Sequence, residues 1–376
     1  MTLRELNRAL LARQGLLEPW EKPLGEVVES IGALQAQAWP GLPIAFWSRV
    51  RGFAAEDLYG ALERRELVTG TLLRGTLHLV SAREHPSYAV VAEASGVCDW
   101  RRTSKEPFPL MEMLRSELLA FVSVPRSVEE TSGFIEEWIT RHPGALDEKE
   151  HALQRQYKWR PLRASSAFLR APEGGRWGAR APAAVLAAPC PPGAESAPSP
   201  EEALTTVLRC HLRAFGPAAA EDVAYWIGWK TPPVRAALEA LGGELVRFKD
   251  EAGRTLYDLP EAPRPEPDVP APVRILPGFD NVMLAYDARR RQRILPDAHR
   301  EAVYVRANLQ VLPTFLIDGM IAGTWSSEEK RREATLTLRP FERLTRADHA
   351  ALTEEAERLV RFSQPGAKAH HVVVSA

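Results

Sequence analysis

Residues 201–259 read "EEALTTVLRCHLRAFGPAAAEDVAYWIGWKTPPVRAALEALGGELVRFKDEAGRTLYDL". The first part, through Phe215, has apolar residues at helical spacing and stops at Gly216-Pro217. "AAAEDVAYWIGW" has the pattern of a second, short helix. "TPPVRAALEALGG" has that of a third, with Thr231 as N-cap, Pro232 at the first helical position and a glycine pair at its end. "ELVRFKD" and "RTLYDL" then alternate like strands around the turn "DEAG".

Three helices followed by a small hairpin is the winged-helix arrangement, a helix-turn-helix with a β wing. The N-terminus follows the same plan. Leu3, Leu6 and Leu10 share one helical face, "PLGEVVESIGAL" is helix two and "AAEDLYGALERRE" is helix three. "LVTGTLL" and "GTLHLV" then read as strands joined near Arg74-Gly75. A third copy fits residues 126–185 less closely: "RSVEETSGFIEEWITRH" and "DEKEHALQRQYKWRPLRASS" are helical, and "AFLRA…GRWGAR" suggests a wing around Glu173-Gly174-Gly175. After residue 273 the pattern turns β-rich, with "IDGM" as a hairpin turn, and "RADHAALTEEAERLVRFSQ" closes the chain as a helix.

The expected fold is therefore α+β. Its modules are winged helices at 1–85, 126–185 and 201–259, connecting helices at 86–125, Pro/Ala-rich linkers at 186–200 and 260–272, and a small β-barrel with a helix at 273–376.

Composition narrows the function. The 376 residues carry a net charge of −1, so the chain as a whole is not basic. The charge is uneven, however. Residues 152–181 hold seven basic residues against one acid, 112–150 hold nine acids against four bases, and "RRRQR" (289–293) has four arginines in five positions. Basic islands on a neutral protein suit nucleic-acid binding along one surface. Three scattered cysteines (Cys98, Cys190, Cys210) argue against a disulfide framework or a zinc finger. The N-terminus reads as an amphipathic helix, not a signal peptide, and no apolar run reaches bilayer length. A cytoplasmic, nucleoid-associated monomer is expected. Neither a phosphate loop nor a metalloprotease or Ser/His/Asp arrangement stands out, and His370-His371 is weak ground for metal. No cofactor and no metal are expected.

"LQAQ" (34–37), "LLRGTLHLV", "FGPAAAEDVAYWIGW", "LPGFDNVMLAY" and "FLIDGMIAGTW" occur in this order along nearly the whole chain. Together they resemble the bacterial winged-helix proteins that include the AlkZ-type DNA glycosylases. These confer resistance to azinomycin and unhook alkylated purines and interstrand crosslinks. The resemblance implies three tandem winged helices and a β-barrel in a C shape with a basic concave face. It also implies an essential motif of Gln, an aliphatic or small residue, then Gln or Asp. Gln35-Ala36-Gln37 matches it. Ala is smaller than the usual middle residue, and Gln rather than Asp in the last place points to the azinomycin-type branch.

Spacing decides what this pair would do. On a helix, residues two apart point about 200° apart; on an extended segment they share a face. Trp39 precedes Pro40, which disfavours the α region there, so helix two is expected to end near Leu34 with Gln35 and Gln37 extended and parallel. An N7- or N3-alkylpurine is already cationic and leaves without protonation, so no strong acid is required. Two amide oxygens would hold a water and face the developing oxocarbenium ion. The bland alternative has both glutamines merely capping helix two.

Arg74, His78 and Trp39 are expected to support this site, with His78 equally readable as a core histidine bonded to a carbonyl. Arg155, Lys158, Arg160 and Arg163 recur at roughly helical spacing between Tyr157 and Trp159, and with Arg176 are expected to contact DNA phosphates. Arg289, Arg290 and Arg291 read equally as a surface turn or as a hairpin tip whose arginines would suit a narrow minor groove. Trp226, Trp229 and Trp325 read as core. The expected activity is monofunctional hydrolysis of alkylpurine glycosidic bonds in double-stranded DNA, with no membrane partner. The rival is a non-catalytic winged-helix DNA-binding protein or regulator. Against that rival, "RAALEALGG" offers a single arginine for reading bases.

Overall fold

The computed structural model describes residues 1–96, 110–160, 164–188, 197–305, 307 and 309–375. The chain forms two compact units, one of Met1–Ala55 with Leu208–Ala376 and one of Glu56–Val207. The architecture is α+β, and no helix among the described residues is long and apolar enough to cross a membrane.

The first unit begins with α1 (Leu3–Arg13), capped by Thr2, whose side chain accepts from Glu5 N while Glu5 reaches back to the cap. α2 (Leu24–Ile31) ends three residues before the expected point, because Gly32 takes φ 77°, a conformation open to glycine at little cost. A Cβ there would also meet the Phe215 ring at 3.1 Å. The two-residue strand β1 (Leu34–Gln35) follows. Next comes α3 (Gly41–Trp47), a helix whose Gly-Leu-Pro start hides it from pattern reading.

The second unit takes up α4 (Ala55–Glu63), β2 (Leu67–Thr71) and β3 (Leu77–Ser81), the last two paired antiparallel as expected. It continues through α5 (His85–Ala94), α6 (Met111–Phe121), α7 (Val128–Arg141) and α8 (Glu148–Gln156). β4 (Phe168–Ala171) pairs with β5 (Ala184–Ala187), not with residues 176–180. The buried side chains of Phe168, Leu169, Val185 and Leu186 choose this register over the charged, glycine-rich "GRWGAR". The strands run β3-β2-β4-β5. Leu114, Leu118, Ile135 and Trp138 fill the core beneath.

α9 (Pro200–Phe215) returns the chain to the first unit, followed by α10 (Ala220–Ile227), α11 (Thr231–Ala240) and the antiparallel pair β6 (Val246–Lys249) and β7 (Thr255–Asp258). The three helices and hairpin lie where residues 201–259 place them, although the N-cap of α11 is Lys230 rather than Thr231. β8 (Arg274–Leu276) leads to α12 (Asn281–Leu284), where a strand was expected, and then to α13 (Arg300–Val303). β9 (Tyr304–Val305) and β10 (Gln310–Val311) form a small pair.

β11 (Thr314–Ile317), β12 (Met320–Lys330), β13 (Glu333–Pro340) and β14 (Ala369–Val374) complete a sheet of order β14-β13-β12-β11-β8. Among the described residues this sheet is open, not the expected closed barrel. Its Phe315, Trp325, Leu336 and Leu338 are buried against Leu352, Ala356, Leu359 and Val360 of α14 (Arg346–Ser363). A helix covering one face removes the need for closure. His370 and His371, expected in a tail, belong to β14, which runs parallel to β13.

Candidate active site

The glutamine stretch lies in the first unit. Leu34 and Ala36 are buried at 2% and 4% exposure, Gln35 is half-buried and Gln37 is exposed. Burial alternates, with Leu34 and Ala36 enclosed and both glutamines at least partly accessible on a segment anchored by its apolar residues. The chain is extended through Gln35 but bends at Gln37, so the expected extended, parallel pair holds only for the first glutamine, the turn into α3 beginning at the second. It then turns into α3 through bonds from Gly41 N to Ala38 O (2.9 Å) and Leu42 N to Trp39 O (3.1 Å). Trp39 is buried at 3% exposure and anchors that turn. Beside it opens a cleft of about 770 Å³ lined by Ala38, Pro40, Gly41, Phe279, Trp325 and Arg339, among others.

The carbonyls that end α2 are received by side chains far away in sequence. Arg213 Nε donates to Glu29 O at 2.7 Å. Gln14 Nε2 donates to Ile31 O at 3.2 Å, and Asn281 Nδ2 donates to Ile31 O at 3.0 Å and Gly32 O at 3.4 Å. Behind them Arg49 grips Asp280 with two bonds of 2.7 and 3.0 Å, both side chains fully buried. Sequence reading passed over Gln14, Arg49, Asp280 and Asn281. The available signal was the Asp-Asn pair inside the quoted "LPGFDNVMLAY". Lys22, the lysine nearest the glutamines in sequence, lies 3.9 Å from the centroid of the Trp20 ring and 3.3 Å from Ser30 Oγ.

The other expected residues fall in different settings. Arg74 sits at the β2–β3 turn with φ 55°. His78 is buried, its Nδ1 2.9 Å from Thr76 O. Burial, with Arg74 adding repulsion, lowers its pKa to about 3, so the ring is neutral and matches the carbonyl-bonded core alternative.

α8 ends at Gln156, and Lys158 and Trp159 take positive φ, so the basic residues 155–160 do not lie along one helix as expected. Arg155 bonds Glu136, Lys158 lies 3.5 Å from Glu129, and Trp159 is buried with its Nε1 donating to Glu136. Glu136 is drawn down to about 2, first by Arg155. Arg160 and Arg176 are exposed, and Arg163 lies outside the described residues.

Residues 289–293 form turns, as in the surface-turn alternative, rather than a hairpin tip. Arg289 is exposed, and Arg290 pairs with Glu221 at 3.4 Å. Arg291 is 3% exposed, donating to Tyr286 O at 3.2 Å and Tyr225 Oη at 3.0 Å with Tyr304 under its guanidinium. It is part of the interior and cannot reach a groove. Trp226 and Trp325 are buried as read, and Trp229 is half-buried. Cys210 is buried in α9, whereas Cys98 and Cys190 fall outside the described residues. Among the described residues no three or more His, Cys, Asp or Glu side chains group as metal ligands.

Comparison with known proteins accords with this arrangement. The chain is 26% identical over 370 residues to the interstrand DNA cross-link repair glycosylase of Streptomyces sahachiroi, covering 92% of this chain and 93% of that protein. The solved structure of Streptomyces sahachiroi DNA glycosylase AlkZ superposes with a TM-score of 0.80 at 22% identity, covering 100% of both chains. The family model for DNA glycosylase AlkZ-like matches residues 28–362, so the chain belongs to the AlkZ-like DNA glycosylase family.

Proposed function

We propose that the protein is a monofunctional DNA glycosylase for cationic N7- or N3-alkylpurines in duplex DNA, with Gln35 and Gln37 as its catalytic residues and interstrand cross-links among its substrates. The observation that carries this reading is the burial pattern of residues 34–37, closed at Leu34 and Ala36 and open at both glutamines. The purine departs with the electrons of its glycosidic bond, which neutralise the charge it already bears. The sugar carbon is left as an oxocarbenium ion. Two amide oxygens present their negative ends to that ion and hold the water whose oxygen bonds to it, and the water's proton passes to solvent. Each fixed dipole of this kind is worth on the order of 3 kcal/mol. That scale suits a bond already labile, and it leaves undamaged nucleosides intact.

Water rather than an amine is the nucleophile, since Lys22 is committed to Trp20 and Ser30. The Streptomyces sahachiroi relative is named for cross-link repair. A cross-link joined through a purine ring nitrogen offers the same cationic leaving group, and the cleft beside Ala38–Gly41 gives room for what that nitrogen carries. Tandem winged helices would bring the duplex in by its phosphates, with the exposed Arg160, Arg176 and Arg289 as contacts.

The test is a duplex carrying one N7-methylguanine, assayed for an abasic site. Wild type produces it, whereas Gln35→Ala and Gln37→Ala each lose about a hundredfold in rate with DNA affinity retained. Absence of abasic product from every alkylpurine and cross-link offered would hand the protein to the regulator reading.

A further inference from the structure

A helix leaves its last four carbonyls without intrahelical partners, and most are satisfied by water or a local turn. The end of α2 is different. Ile31 O receives two carboxamides at once, from Gln14 at 3.2 Å and Asn281 at 3.0 Å, and the same Asn281 nitrogen lies 3.4 Å from Gly32 O. Both donors are buried, at 0% and 2% exposure. Each is fixed in turn. Gln14 Nε2 also donates to Ala214 O at 3.0 Å, and its Oε1 accepts from Arg49 at 3.4 Å. Asn281 follows Asp280, which Arg49 holds through two bonds and which caps α12 by accepting from Val282 N at 3.2 Å. One connected set of polar side chains thus joins α1, α3 and α12 to the point where the chain leaves α2, four residues before Gln35.

We propose that Asn281 and Gln14 are positioning residues for the glutamine pair. By fixing Ile31 and Gly32 they set the direction in which residues 33–37 leave the helix, and so the aim of the two amides. This rests on the catalytic reading of Gln35 and Gln37. Gly32 is the joint that needs fixing, because at φ 77° its backbone has more freedom than any other residue type would allow. A displacement of about 1 Å in a reacting group costs on the order of a hundredfold in rate, so removing one of two donors is expected to cost about tenfold.

The experiment measures single-turnover excision of N7-methylguanine, KM for the duplex and thermal unfolding. It compares wild type with Asn281→Ala, Gln14→Met, Gln35→Ala and Leu256→Ala. Leu256 is fully buried in a cluster with Leu6 and Ala219, has an apolar side chain that takes no part in the hydrogen bonds of the network, and on truncation supplies a matched loss of stability. At a temperature where all are folded, Asn281→Ala and Gln14→Met are expected to lose about tenfold or more in rate with KM within about threefold, while Leu256→Ala keeps its rate. If Asn281→Ala does not fold, Gln14→Met alone decides.

Retention of the rate by both variants within about twofold, while Gln35→Ala loses its own, overturns the positioning role alone. An equal loss in Leu256→Ala overturns it as well, by reducing the effect to stability. Wild-type activity in Gln35→Ala would instead overturn the catalytic assignment, and the positioning role with it.

Discussion

Both units carry exposed ion pairs, but among the described residues the pairs with both side chains fully buried lie in the first. In the first, Arg13 meets Asp258 with side chains 1% and 0% exposed, and Arg49 meets Asp280 with both at 0%. In the second, Lys158 and Glu129 are 68% and 72% exposed, and Arg64 and Glu66 are 61% and 50%. A buried pair must repay a large desolvation cost and does so only in one good geometry, whereas a surface pair costs little and breaks easily. Interior charge therefore sits where separate segments of chain must meet in a single arrangement, and the Arg49–Asp280 pair does so next to the residues that hold the end of α2. The contrast says more than net charge, which is −1 for the whole chain.

The largest effect separating the units is in stability. Asp280→Ala strands the Arg49 guanidinium in the interior and is expected to cost roughly 3–5 kcal/mol in urea unfolding. Glu129→Ala in the second unit is expected to cost about 1 kcal/mol or less. Equal costs would break the comparison.

Acid comes next. Burial lowers His78 to about 3 and His85 to about 4 in the second unit, and His211 to about 3 in the first. Above the ordinary histidine pKa of 6.5 these rings are neutral whether folded or not, and they contribute nothing to the pH dependence. Below it the unfolded chain binds protons that the folded chain refuses. Stability then falls with pH, by about 1.4 kcal/mol per unit per histidine, until the folded values are reached. Unfolding followed about one pH unit above and about one below that midpoint should show this fall. His85→Phe should lessen it by the share of one histidine, because the buried His85 Nε2 has no hydrogen-bond partner to lose. A fall unchanged in His85→Phe would mean that this ring accepts a proton in the folded state.

Local pattern carried much of the fold. α9 to α11 and the β6–β7 pair are placed by their apolar spacing, Pro232 and the turn at Asp250–Gly253. Reading failed where long-range packing chose among local options. β5 formed in Ala-Val-Leu-Ala, which composition presents as linker, because those side chains complete the face of β4. α12 replaced a strand because Asp280 could cap it while gripping Arg49. The glutamine pair proposed as catalytic was singled out by its spacing and by resemblance. Gln14 and Asn281 were not, since the bond by which Asn281 reaches Ile31 O spans 250 positions and leaves no local period. The arginine run 289–293 misled because charge in sequence does not say which side chains find acceptors inside.

That same run allows the finest test. Arg289 and Arg291 are two residues apart, the first with an 88% exposed side chain and the second buried over Tyr304. If exposed arginines meet phosphates, Arg289→Ala should reduce the dependence of log K on log salt by about 0.9, weaken binding alike for all duplex sequences and leave the melting temperature unchanged. Arg291→Met should do the reverse. It removes a guanidinium bonded to Tyr286 and Tyr225, so it lowers the melting temperature while the salt slope of the folded protein stays where it was. A slope that responds to Arg291 and not to Arg289 would mean that the interior arginines turn outward on DNA, and the separation between held and released charge would fail at its most closely matched pair.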